Sequence, residues 1–134
     1  MLGRRDGLTQ VRMRAVVADL AKTVADLVQA VPEGQAAFLM DLDGVPFEQA
    51  ASAERADLEA IAGEYAGLLR QARAMAIEWN CGAPQRFSVR GTHRQVVFAF
   101  VPGDLVLGVE AGPASLRGQM RFAITQAVGQ FGDL

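Results

Sequence analysis

The chain has 134 residues, 51% hydrophobic and 21% charged, a size and balance that fit one globular domain with its own core and exclude a disordered or low-complexity segment. Its 13 basic and 15 acidic residues leave a formal charge of −2; mixed along the chain, they set up no field that would collect phosphate backbones, so nucleic acid is not expected as a partner. Cys81 is the only cysteine, which rules out an internal disulfide or a cysteine-based zinc site and fits a reducing compartment.

Residues 1–7 (MLGRRDG) read as a flexible leader, and residues 8–134 as a single domain. Arg12, Arg14, Asp19, Lys22 and Asp26 interrupt the apolar residues that follow the leader, so no signal peptide or membrane span is expected, no membrane partner either, and the cytoplasm is the expected location. From Leu8 to Val31 apolar residues recur at threes and fours, the period of a helix with one buried face, until Pro32 and Gly34 stop it. AAFLMDL, Ala36 to Leu42, then reads as a strand and Val45 to Ala50 as its hairpin partner across Asp43-Gly44. A long helix begins near Ala53 to Asp57 and ends at Trp79, before Asn80-Cys81-Gly82. Three strands follow, at Gln85 to Gly91, Gln95 to Val101 and Leu105 to Ala111, joined by turns of a few residues. A last helix opens after Gly112-Pro113 and carries Leu116, Met120, Ile124, Val128 and Phe131 on one stripe.

The strands report their places in the sheet, because alternate side chains face opposite sides. Both alternating sets are apolar in AAFLM, VVFAFV and LVLGV, so those three strands are covered on both faces. RFSVR alternates strictly, with Phe87 and Val89 opposed to Arg86, Ser88 and Arg90, and Pro46, which cannot donate to a ladder, places the second strand at an edge or itself at a strand start; the two weaker strands are put at the edges. With short connections making antiparallel neighbours, the sheet order is 2-1-5-4-3. The expected fold is of the α/β (α+β) class: a three-layer sandwich of topology α-β-β-α-β-β-β-α with helices on both faces.

Asp41-Leu42-Asp43-Gly44 at the end of an apolar strand invites comparison with the nucleophile motif of haloacid-dehalogenase-type phosphatases. That chemistry also needs a downstream lysine and further acidic residues for Mg²⁺ on a parallel sheet; the only lysine, Lys22, lies upstream, and the strands here are antiparallel. The alternative is a hairpin turn made by Asp43 and Gly44, with Asp41 hydrogen-bonding across it. An EF-hand is excluded by Val45 and Pro46 at its fifth and sixth positions, and no phosphate-binding P-loop motif exists. His93 falls in a hairpin turn without a positioned partner, and Cys81 reads as a semi-buried helix-end residue. No catalytic residue, cofactor site or metal site is expected.

The second helix carries two stripes. Leu58, Ile61, Tyr65, Leu68, Ala72, Met75 and Trp79 form an apolar seam that reads as core, and about a third of a turn around lie the small residues Ala60, Gly63, Gly67 and Ala74. Two mid-helix glycines cost about 1 kcal/mol each relative to alanine; either another backbone approaches closely and compensates, or they lie exposed in an Ala-rich sequence. The strand at Arg86, Ser88 and Arg90, with an unpaired edge, is the other half of an expected two-fold interface.

These pieces, AAFLMDLDGVPFEQAAS, DLEAIAGEYAGLLRQA, FSVRG, QVVFAFV, DLVLGVEA and ASLRGQMRFAITQAV, together resemble the Roadblock/dynein light-chain family, including bacterial MglB-like regulators, over about residues 8 to 131. The resemblance implies a non-enzymatic homodimer that binds a small Ras-like GTPase and acts on it as a GTPase-activating or scaffolding protein. Arg70 and Arg73 are the expected GTPase-facing residues. The competing reading is a small-molecule sensory domain of the same architecture; strands rich in Val, Phe, Leu and Ala for close packing favour protein partners instead.

Overall fold

A computed structural model describes residues 19–53, 57–115 and 117–131. The expected leader, the helical stripe from Leu8 to Val17 and Leu116 lie outside them. The elements in order are α1 (19–30), β1 (Gly34–Asp41), β2 (Pro46–Ala51), α2 (Leu58–Glu78), β3 (Arg86–Arg90), β4 (Gln95–Val101), β5 (Leu105–Ala111) and α3 (Arg117–Phe131). All strand pairs are antiparallel, and the five-stranded sheet has the order β2-β1-β5-β4-β3. This is the topology read from the alternation of side chains, with ends shifted by one or two residues.

The sheet's two faces are packed differently. On one, Ala37 and Leu39 of β1, Ala99 and Val101 of β4 and Leu107 and Val109 of β5 are buried under two helices. Val24, Leu27, Val28 and Val31 close the α1 side; Met120, Ala123, Ile124, Ala127 and Phe131 close the α3 side. Each set recurs at i, i+3, i+4 and i+7, so a single stripe of each helix faces the sheet.

On the other face a row of residues runs across paired strands, Phe38 opposite Gly108, Gly108 opposite Phe98, and Phe98 opposite Phe87. Phe38 and Phe98 meet edge to face with ring centroids 5.9 Å apart, a geometry favoured by the ring quadrupoles. Gly108 makes room for them: a Cβ there would lie 2.4 Å from Phe38 Cζ. Against this row α2 packs one stripe of its side chains, and its buried residues are Leu58, Ala62, Ala66 and Leu69.

The Asp-x-Asp-Gly segment is a turn. Asp41 Oδ1 accepts hydrogen bonds from the backbone N–H of Asp43 at 2.9 Å and of Val45 at 3.0 Å, and Gly44 N–H closes on Asp41 O at 3.2 Å. Gly44 has φ +84°, and a Cβ on it would sit 2.7 Å from Gly63 Cα. Only glycine combines that backbone conformation with that approach. The contact requires glycine at position 44 and not at 63, where an added Cβ would meet nothing within 4 Å and the residue is exposed.

Candidate partner-binding face

The apolar seam expected to be core is not the buried face of α2. Leu58 alone of that set is buried; Ile61, Tyr65 and Ala72 are half-buried, and Leu68, Met75 and Trp79 are exposed, Trp79 at 72%. The first half of the seam runs along the shoulder of α2 that overlooks β4. There Tyr65 lies against Phe98 at 4.7 Å, and Phe87 of β3 approaches Phe98 at 6.4 Å. Val89, on the same sheet face as Phe87, is exposed. One helix covers five strands here, so the β3 end is left partly bare, and the outer edge of β3 has no strand partner among the described residues.

Below the seam is a cleft of about 420 Å³ between Ile61, Glu64, Tyr65 and Leu68 of α2 and Arg94, Val96 and Glu110 of the sheet. Glu110 is 2% exposed and pairs with the half-exposed Arg94 at 2.6 Å, the arrangement a buried carboxylate requires. Burial raises the Tyr65 phenol above its ordinary value of 10.0; Glu110 adds to the rise, Arg94 opposes it, and Glu64 adds a little more.

The residues expected to share an interface do not lie together. Gly63 meets the β1–β2 turn, so the small stripe of Ala60, Gly63, Gly67 and Ala74 runs along the β2 side of α2, on the shoulder away from β3. A Cβ added at Gly63 would meet nothing within 4 Å, and at Gly67 only the Arg70 side chain at 3.8 Å. Arg86, Ser88 and Arg90 are exposed but turn to the α1/α3 side of the sheet, where Arg90 Nη2 donates to Pro113 O at 3.1 Å. What β3 turns toward α2 is Phe87 and Val89. The seam residues expected to be core include instead the exposed apolar side chains of α2, Leu68, Met75 and Trp79.

Arg70 donates to Leu42 O in the β1–β2 turn. Arg73 pairs with Asp104 of the β4–β5 turn at 2.8 Å. Both guanidinium groups therefore tie loops to α2. Cys81 is exposed rather than semi-buried, though its N–H does close the helix end on Ala76 O at 2.8 Å; Asn80, at φ 59°, takes the left-handed conformation there. Among the described residues no group of three His, Cys, Asp or Glu side chains is placed to hold a metal ion, and no helix is long and apolar enough to cross a membrane.

No protein-family model matches the chain, and no curated protein does. Solved structures do. MglB of Myxococcus xanthus superposes with a TM-score of 0.81 at 17% identity, covering 87% of this chain and 87% of that one. A Roadblock/LC7 domain from Streptomyces avermitilis gives a TM-score of 0.75 at 19% identity over 82% of this chain and 92% of the other. An MglB with a tetrameric arrangement gives 0.75 at 11% identity, over 89% and 87%. At these identities the likeness is one of fold: the chain has the Roadblock/LC7 fold in its MglB-like form.

Proposed function

We propose that residues 8–134 form one Roadblock-like domain that is a non-enzymatic, homodimeric regulator of a small Ras-like GTPase. The observation that carries this reading is the set of exposed apolar residues Leu68, Met75 and Trp79 on α2 and Val89 on β3, together with the unpaired edge of β3. Large exposed apolar side chains and an open strand edge mark protein contacts, because water satisfies neither well. Two copies related by a two-fold axis pair β3 with β3 and pack their α2 shoulders together. The MglB-like fold and the family resemblance support a GTPase as the further partner. Such a protein acts by fixing the GTPase's switch segments in a competent arrangement, since phosphoryl transfer depends on positioning and electrostatics.

Light scattering tests the dimer. The wild type is expected to be dimeric at micromolar concentration, and Leu68→Arg with Met75→Arg monomeric yet folded; a monomeric wild type overturns the reading. A pull-down with small Ras-like GTPases of the same organism, in both nucleotide states, tests the regulator, and absence of binding in both states counts against it. The cleft at Glu110 and Arg94 favours the second reading, a small-molecule sensor, because its volume and convergent polar groups fall within the range of ligand sites.

A further inference from the structure

The charges that balance over the whole chain are separated in the fold. No Asp or Glu occurs from Trp79 to Gly103 or from Ala111 to Gly132. These runs contain β3, β4 and α3, which meet at one end of the α1/α3 side of the sheet. There β3 supplies Arg86 and Arg90, and α3 supplies Arg117 and Arg121; the four line a shallow groove of about 210 Å³ with Val97 at its floor. No carboxylate lines this groove. None of the four arginines is ion-paired among the described residues; Arg86 and Arg90 donate to backbone carbonyls of Gln85 and Pro113.

The two walls are held in register. Gln95 Nε2 donates to Gly112 O at 2.9 Å and Ser115 O at 3.0 Å. Glu33 Oε2 accepts from Ala114 N–H at 3.1 Å. These contacts fix the start of α3 against β4, and so fix Arg117 and Arg121 opposite β3. Four like charges gathered on two braced elements repel one another, and nothing in the core requires them to be there.

We propose that this groove is a docking site for an acidic segment of a partner protein, its carboxylates seated on the four guanidinium groups. Arginine presents a planar fork that matches a carboxylate or a phosphate, so the spacing must choose between them. Arg86 and Arg90 are four residues apart on a strand, about 13 Å, and Arg117 and Arg121 are one helical turn apart, about 6 Å. An array that long suits successive carboxylates along a chain. The groove's volume also falls below the roughly 300–1,000 Å³ of small-molecule sites. Single-stranded nucleic acid calls for aromatic side chains on which bases stack, and the groove has none. The groove is complete within one protomer, so it stands or falls apart from the dimer.

The test is fluorescence anisotropy on the full chain with a labelled peptide that alternates glutamate with leucine and serine. The wild type is expected to bind it with an affinity that falls as salt rises. Arg117→Gln with Arg121→Gln is expected to weaken binding about tenfold or more, while Lys22→Glu, which changes net charge by the same amount on exposed α1, leaves it within about twofold. If the α3 variant fails to fold, Arg86→Gln with Arg90→Gln on the exposed strand decides the matter in the same way. Equal weakening by Lys22→Glu overturns the proposal, as does absence of peptide binding at low salt. Tighter binding of inorganic triphosphate or duplex DNA than of the peptide also overturns it, by assigning the groove to phosphate.

Discussion

The sheet has one closed face and one half-open face, and the difference comes from what stands on the strands. On the closed face the strands present Ala37, Leu39, Ala99, Leu107 and Val109, aliphatic side chains of modest height, and two helices pack side by side with large residues inward. Thr23 of α1 reaches Gln130 of α3 at 2.7 Å where the helices adjoin. On the other face Phe38 and Phe98 rise from the sheet under one stripe of a single helix, Leu58, Ala62, Ala66 and Leu69. Leu68 and Met75 of that helix stay exposed on its shoulder. Apolar area withdrawn from water stabilises the fold on the closed face; on the half-open face part of that area remains available to another chain.

The largest expected effect lies on the closed face. Ile124 is 1% exposed between α3 and the sheet. Ile124→Ala is expected to lower stability by about 2–5 kcal/mol in chemical denaturation, because the cavity is walled by two helices and a sheet that collapse only in part. A loss of under about 1 kcal/mol would mean that α3 is loosely held and that the faces do not differ as described. On the half-open face the sensitive point is Gly108, where an added methyl meets the Phe38 ring. Phe38 is itself 1% exposed and has little freedom to yield. Gly108→Ala is therefore expected to cost about 1–3 kcal/mol, the usual penalty for overpacking. Adding Phe38→Leu should recover part of it, and absence of recovery would show that the strain lies in the strand backbone instead.

The sheet and its order were legible because alternation along a strand states directly how many of its faces are covered. The hairpin at Asp43-Gly44 was legible for the same local reason, since turn chemistry is written in consecutive residues. The buried face of α2 was not. Periodicity marked out the helix and its stripes, but burial was assigned to the stripe of Ile61, Leu68 and Met75, whereas the stripe that faces Phe38 and Phe98 is Leu58, Ala62, Ala66 and Leu69. Which shoulder adjoins β3 depends on how the helix lies across the sheet, and helix spacing carries no such information. The arginine groove was hidden by an overall charge near balance. Its sign in the sequence was the absence of acidic residues from Trp79 to Gly103 and from Ala111 to Gly132, which became meaningful only when the sheet brought the two runs together.

Tyr65 stands where the closed centre of the α2 face gives way to the open shoulder, and it is the only tyrosine in the chain. Its phenol is raised above the ordinary value, first by burial and then by Glu110. A raised folded-state value means that the folded protein holds the phenolic proton more tightly than the unfolded chain does. The stability tied to that proton is present below the unfolded value of about 10 and is lost as pH rises through the folded value. Denaturation midpoints are thus expected to fall from about pH 9 to about pH 11 by a small margin in the wild type, and by less in Tyr65→Phe; equal falls would show that other groups govern the alkaline limb. The same tyrosine reports on the shoulder. If a second copy covers the seam, burial of Tyr65 deepens and its tyrosinate absorbance titrates at higher pH in concentrated than in dilute solution. A titration independent of concentration, in a protein that light scattering shows to be dimeric, would move the two-fold contact off this shoulder and onto the edge of β3 alone.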